Sequence, residues 1–586
     1  MQTANDLDIA KEHLRAACDE VRARVAADPE SEAAADELFR VISQAASEFG
    51  IESAVDMRPL AIEITQAAAL LEREEDEKAE LILRRYLSIV RNDPAAMLLM
   101  AYLASKNGFP DNAEKILRRS VEIDPRRTEN WVALAKLLHQ RAETVDRPGL
   151  VEESFSALDR ALEVDPTDEE ALAYKAAMLL QLRRLDEGDD AYRALLRAHP
   201  ESSTGWTNYA YLLKTLGRFG EAVAAARTAF ALDPTNGAAW WGFADLKLAR
   251  FFQSDIDRME EMLTENLSEL SNINLHFSLA SAYQQAKNHT QSAAHLEKGN
   301  AARLSSRPYE REAVARGIDE AIKTYTPAFF SARTAVGDPR PDPIFVVSMP
   351  RSGSTLVEQI LSSHSAIEGT EELTAIHQIE VELARKYATG DIEKIVRELL
   401  PEQFAPLGQR YLELTQFHRR TDRPRFTDKN PGNWRQAGLI HAMLPNAKII
   451  DIRRNPLDNC FANYAQHYLF GVNYSYGQRE VAAHYQQYVR LMRHFDEAMP
   501  GVVHKIIYED LVDDLEGEVR RLFDYLELPF EESCLRYFET ERAVHTPSSE
   551  QVRQPINRSG IGKWRNYDPW LGEMKEALGE TIDDWR

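Results

Sequence analysis

Cysteine is scarce in this chain: Cys18, Cys460 and Cys534 are the only three among 586 residues. Odd in number and far apart, they offer neither a disulfide framework nor a zinc-ligand spacing, and they suit a reducing compartment. A cytoplasmic location without a metal site is therefore expected. An excess of basic charge is also missing. Lys and Arg number 70 against 94 Asp and Glu, a net charge of -24. Such a chain is unsuited to coating nucleic acid or an anionic membrane surface. Long apolar runs are lacking too. The longest, residues 95–104, falls well short of the ~20 residues that span a bilayer. The first residues, MQTANDLDIAKEH, have no apolar h-region, so no secretory signal is expected. What is present is an apolar fraction of 44%, ordinary for a globular protein. The length implies roughly two to four domains.

The first half repeats. Asp-Pro or His-Pro recurs at Asp93-Pro94, Asp124-Pro125, Asp165-Pro166, His199-Pro200 and Asp233-Pro234, spaced by 31, 41, 34 and 34 residues. Tetratricopeptide repeats have a period of ~34 residues. The unit TGWTNYAYLLKTLGRFGEAVAAARTAF has Trp206, Tyr209, Leu212, Leu213, Leu216 and Gly217 on a first helix and its turn, then Ala222, Ala225 and Ala229 on a second. Small side chains at the crossing let two helices approach, and Pro opens the next unit. The long spacing places about seven extra residues near positions 142–149, between two helices, relative to the ~34-residue period. A last, divergent repeat reads HFSLASAYQQAKNHTQSAAHLEKGNAARL, from His276 to Leu304. The expected organisation is a helical cap at 1–60, a repeat array at 61–310, a proline-rich connection at 311–340 and a second domain at 341–586.

In that second domain short apolar strands alternate with helices: 344–347, 447–452 (AKIIDI) and 502–507 (VVHKII). Alternation of this kind reads as a parallel sheet covered by helices, with ligands bound outside the carboxyl ends of the strands. The fold class is therefore multidomain, an all-α tetratricopeptide-repeat solenoid followed by an α/β parallel-sheet domain. One segment is the most telling. Residues 344–355, IFVVSMPRSGST, run from a buried strand into a small-residue loop broken by Pro350, Ser352 and Gly353, then into a helix. Free N–H groups and the positive end of the helix make this an anion site. Arg351, Ser354 and Thr355 add donors. The nucleotide-triphosphate version of the loop is GxxxxGK[ST]. Here Ser348 stands for the first Gly and Ser354 for the Lys, so the main clamp on ATP is missing.

The loop, with its internal arginine, resembles the PRSGTT form of the 5′-phosphosulfate loop in tyrosylprotein sulfotransferases and related bacterial enzymes. Four later segments resemble the same family in order. In DIRRNPLDNCFANY, Arg454 falls on the family's 3′-phosphate arginine, suited to a bidentate pair with phosphate. Ala462 occupies the place of its serine, leaving Asn463 or a backbone group to substitute. In INRSGIGKWRN, Arg558, Ser559 and Gly560 fall on 3′-phosphate contacts and Lys563 on the end of the pattern, in a loop one position shorter. In TDKNPGNW, Lys429 takes the place of an essential lysine. In EGTEEL, Glu372 inherits the role of general base, with Glu371 as its substitute and His364, His467 and His545 as rivals. A fifth segment, Tyr508-Glu509-Asp510-Leu511, serves as a fold marker.

The resemblance implies 3′-phosphoadenosine-5′-phosphosulfate as donor, held by Pro350, Arg351, Ser352, Gly353, Ser354, Thr355, Arg454, Arg558, Ser559, Gly560 and Lys563, with no metal. It implies catalysis by Glu372, Arg351 and Lys429 on an acceptor hydroxyl, with tyrosine of a peptide as the model. Stacked repeats build a concave surface, expected to recruit a peptide or protein acceptor or to join two chains in a homodimer. The competing classes are a P-loop kinase with repeats and a non-catalytic scaffold on a degenerate nucleotide fold.

Overall fold

The computed structural model of the protein describes residues 62–586 apart from 143–148, 247–248, 335, 469–470, 541 and 543–550. The expected cap at 1–60, the extra residues of the long repeat and His545 lie outside the described residues. The chain divides into two compact units between Gly242 and Phe243.

The first unit is a succession of antiparallel helix pairs. Ile62–Glu72 and Asp76–Ile89 (α1, α2) precede Pro94–Lys106 and Pro110–Ile123 (α3, α4) and then Thr128–Ala142 and Leu150–Val164 (α5, α6). Glu169–Gln181 and Leu185–Ala198 (α7, α8) lead to Ser203–Thr215 and Phe219–Leu232 (α9, α10). The repeated Asp-Pro has a local job. Asp93 caps α3 by accepting from the N–H groups of Ala95 and Ala96, with Pro94 at the first helical position, where its missing N–H costs nothing. A second periodic contact follows three of the five prolines. The indoles of Trp131, Trp206 and Trp240 donate to the carbonyls of Pro125, Pro200 and Pro234 at 3.0, 2.8 and 3.0 Å. Ala222, Ala225 and Ala229 are buried at the crossing of α9 and α10. Successive pairs are stitched by Asn130 to the Pro94 carbonyl and by Asn236 to Ser203.

The second unit contains a five-stranded parallel sheet of order β2-β3-β1-β4-β5. Its strands are Pro343–Ser348 (β1), Ile367–Glu368 (β2), Arg425–Asp428 (β3), Lys448–Arg453 (β4) and Val503–Ile507 (β5). β1, β4 and β5 are the three apolar segments of the sequence. β2 and β3 have too few apolar residues to read as strands. Ile344, Val346, Ile450, Ile452 and Ile506 pack with Val357, Ile360 and Leu361 of helix Ser354–Ser362 on one face. Helices Glu269–Gln285 (α11) and His289–Ser306 (α12) belong to this unit and close over its later helices. Ser292 bonds the Tyr567 hydroxyl at 2.8 Å, Asn300 donates to the Tyr464 carbonyl, and Phe277 stacks on His467. Because every strand is parallel, all five carboxyl ends open on one edge, and the candidate site lies there.

Candidate active site

β1 ends at Ser348, and the turn that follows feeds helix Ser354–Ser362 (α13). Two residues of the turn have positive φ, Arg351 at 65° and Gly353 at 102°. Only glycine suits the second, since a Cβ there would stand 2.6 Å from Cδ2 of Tyr508. The loop is braced from behind by helix Pro456–Tyr464 (α14). Asn459 Nδ2 donates to the Pro350 carbonyl and to Ser352 Oγ, both at 2.9 Å, and Asn463 Nδ2 donates to the same carbonyl at 2.9 Å. Ser352 is thus buried in the scaffold. Among the described residues no N-cap side chain closes the first turn of α13, so its positive end faces the neighbouring space.

That space is two cavities that share a wall. One, of about 250 Å³, is lined by Arg351, Gly353, Ser354 and Thr355, by Arg454 and Ala462, and by Ser559, Gly560 and Lys563. Tyr508, Tyr537, Val552 and Ile556 give it an apolar end. Arg454 ties its two sides together, donating to the Arg351 carbonyl at 2.8 Å and to the Gly560 carbonyl at 2.5 Å, with its guanidinium over the Tyr508 ring. Its Nε is buried without a partner among the described residues. Burial lowers the Arg454 pKa, Arg351 adds to the effect and Asp458 opposes it. Crowding by protein, then Arg351 and Arg454, lowers the pKa of Lys563. Arg351 thus lowers the pKa of both Arg454 and Lys563, and such a cluster of cations is arranged for an anion that would relieve it. Arg558 stands apart. Its side chain is 71% exposed and pairs with Asp513 on the surface, because its short 3₁₀ turn points it away from the cavity.

The second cavity, of about 560 Å³, reuses Arg351, Ser354 and Thr355 and adds Pro350, Glu372, Asn430, Trp434, Tyr468, Tyr474 and His484. Lys429, directly after β3, is buried, and its Nζ lies 2.6 Å from Oε1 of the half-exposed Glu372, after β2. The structure therefore gathers Arg351, Lys429 and Glu372 on one rim. Glu371 points elsewhere. Its carbonyl accepts from the Lys429 N–H at 2.9 Å, and its carboxylate lies 4.0 Å from Arg542. The two described rivals, His364 and His467, serve packing. His364 bonds the Pro529 carbonyl and stacks on Phe523. Burial pushes His467 down to about 4. Arg453, beside Arg454, is buried in an ion pair with Asp451 at 2.8 Å.

Several contributors were invisible as such in the sequence. Tyr508 looked like a fold marker, yet it walls the first cavity. Asn459 reads as an ordinary helix residue until the loop folds onto it. The aromatics of the second cavity come from three separate segments with no common spacing. Among the described residues no group of three His, Cys, Asp or Glu could hold a metal, and no helix is long and apolar enough to cross a membrane.

With this geometry in place, residues 343–532 match the model of the sulfotransferase family, and residues 203–236 match that of a tetratricopeptide repeat. The second unit carries a sulfotransferase domain. An uncharacterized protein of Aquifex aeolicus (strain VF5) is 35% identical over 273 residues, 45% of this chain and 36% of that one. Protein-tyrosine sulfotransferase A of Caenorhabditis elegans is 25% identical over 278 residues, 43% of this chain and 67% of that one. The protein-tyrosine sulfotransferase of Drosophila melanogaster is 23% identical over 251 residues, 39% of this chain and 47% of that one. The chain thus spans about a third of the first of these relatives, two thirds of the second and half of the third. Among solved structures, the sulfotransferase domain of the Synechococcus PCC 7002 olefin synthase is 20% identical, covering 41% of this chain and 96% of its own, at a TM-score of 0.30. A thermophilic tetratricopeptide-repeat protein of Thermus thermophilus is 19% identical, covering 32% and 97%, at a TM-score of 0.29. The sulfotransferase domain occupies the unit whose strand ends carry Arg351, Lys429 and Glu372.

Proposed function

We propose that the chain moves a sulfuryl group from 3′-phosphoadenosine-5′-phosphosulfate to an acceptor hydroxyl, with a tyrosine of a peptide or protein as the acceptor. The observation that carries this reading is the shared wall. Arg351, Ser354 and Thr355 face both cavities, so a group bound in one can be handed to a group bound in the other. The first cavity suits the donor: its cations take the phosphates, and Tyr508, Tyr537, Val552 and Ile556 suit the adenine. The orphaned Arg454 Nε and the glycine cradle at Gly353 fit a phosphate-bearing group. The second cavity suits a phenol, since its wall is aromatic and ends at Glu372.

In the reaction the acceptor oxygen bonds to sulfur, the bridge from sulfur to the 5′-phosphate oxygen breaks, and the acceptor proton passes to Glu372. Lys429 holds Glu372 in place, and Arg351 with the loop N–H groups stabilises charge on the sulfuryl oxygens. The repeats of the first unit supply a surface for a protein acceptor. Calorimetry and label transfer test the reading. Tight binding of 3′,5′-adenosine bisphosphate and transfer of label from the sulfated donor to a tyrosyl peptide are expected. A preference for ATP with Mg²⁺ indicates the kinase class, and no nucleotide binding indicates a scaffold.

A further inference from the structure

Glu358 sits on α13, one turn behind the anion loop, and is completely buried. It lines neither cavity, and the reaction as written makes no use of it. A carboxylate there is costly unless every oxygen is engaged. Its bonds are spread over three segments. Oε1 accepts from the Glu371 N–H and from the Thr427 hydroxyl, both at 2.9 Å. Oε2 accepts from Arg542 Nη2 at 3.0 Å. The Thr427 hydroxyl also accepts from the Thr370 N–H at 3.2 Å, while Thr370 Oγ1 donates back to the Thr427 carbonyl.

These contacts converge on one backbone feature. Glu371 has φ of 65°, a conformation that a non-glycine residue holds only when its surroundings enforce it. Its N–H is fixed by Glu358, and its carbonyl is fixed by the Lys429 N–H. The left-handed turn at Glu371 sends its own carboxylate toward Arg542 and the next one, Glu372, into the cavity beside Lys429. The same carboxylate therefore couples the helix that carries the anion loop to the ends of both β2 and β3.

We infer that Glu358 is a positioning residue: it locks the Glu371 turn and so sets Glu372 and Lys429 against the loop. This rests on Glu372 as the base, and the test separates the two claims. The variants are Glu358→Ala, Glu358→Gln and Thr427→Val in the full chain. Gln keeps an acceptor for the Glu371 N–H, and Thr427→Val removes one donor without emptying the site. Backbone amide exchange is the readout independent of activity. In Glu358→Ala the Glu371 and Lys429 amides are expected to exchange at least tenfold faster, with β1 and β4 within twofold of wild type. With a tyrosyl peptide as acceptor, kcat should fall at least thirtyfold while affinity for 3′,5′-adenosine bisphosphate stays within threefold. Glu358→Gln should recover to within fivefold of wild type, and Thr427→Val should lose three- to tenfold. Unchanged protection of the two amides overturns the inference, as does loss of donor affinity in step with kcat, or an equal loss in the Ala and Gln variants. If Glu358→Ala does not fold, the amide exchange of Thr427→Val decides: faster exchange at Glu371 supports the inference, and wild-type protection overturns it. A wild-type chain that transfers nothing to the peptide counts against the proposed function, while the amide exchange still decides the role of Glu358.

Discussion

Arg351 is placed by backbone strain and two asparagines, and its chemistry depends on both. Its positive φ is enforced by the α14 brace on Pro350 and Ser352. Arg351→Ala should weaken binding of 3′,5′-adenosine bisphosphate at least tenfold and lower kcat further, as read by calorimetry and label transfer. Glu372→Gln should remove turnover by a factor of about 10²–10⁴ and leave that binding unchanged. A residual rate within a few-fold of wild type would assign the base elsewhere. Asp428, between Thr427 and Lys429, is fully buried, with Tyr411 donating to it at 2.9 Å. Burial pushes its pKa up to about 7 from 3.8. The fold thus binds this proton more tightly than the unfolded chain does. Its contribution to stability is complete below about pH 4, is lost as pH rises through about 7, and is constant above. Asp428→Asn should flatten that slope, worth a few kcal/mol, in denaturant melts between pH 4 and 8. An unchanged slope would mean that Asp428 ionises normally.

At the scale of elements, the sequence revealed what repeats and what is strongly apolar. The Asp-Pro spacing exposed the helix pairs because Asp93 and its equivalents have a local capping or turn role, visible without the fold. β1, β4 and β5 were legible as runs of buried branched residues. β2 and β3 were not, being two and four residues long, with Phe426 as the only large apolar side chain in β3. Their ends carry Glu372 and Lys429, so the family resemblance pointed to both residues while their 2.6 Å pairing stayed hidden. Arg454 and Lys563 meet at the first cavity from segments a hundred residues apart, which no local pattern reports. The aromatic ladder of the repeats makes its own prediction. Trp240 stacks on Phe230 at 3.9 Å and bonds the Pro234 carbonyl. Trp240→Ala should destabilise the first unit by about 3–5 kcal/mol, seen as a lower first melting transition. Affinity for the bisphosphate should stay within twofold.

Taken whole, the molecule carries a tetratricopeptide-repeat unit and a parallel-sheet unit that matches the sulfotransferase family. A chain with a net charge of -24 concentrates Arg351, Arg454 and Lys563 around one small cavity. That concentration is the central claim, because acceptor chemistry, base and repeats matter only if a doubly phosphorylated adenine nucleotide binds there. The most direct test is isothermal calorimetry of the full chain with 3′,5′-adenosine bisphosphate, set against ATP with Mg²⁺. The account predicts one site per chain, at least a hundredfold preference for the bisphosphate, and loss of that preference in Arg351→Ala. Equal or tighter binding of ATP, or bisphosphate binding that survives Arg351→Ala unchanged, would contradict it.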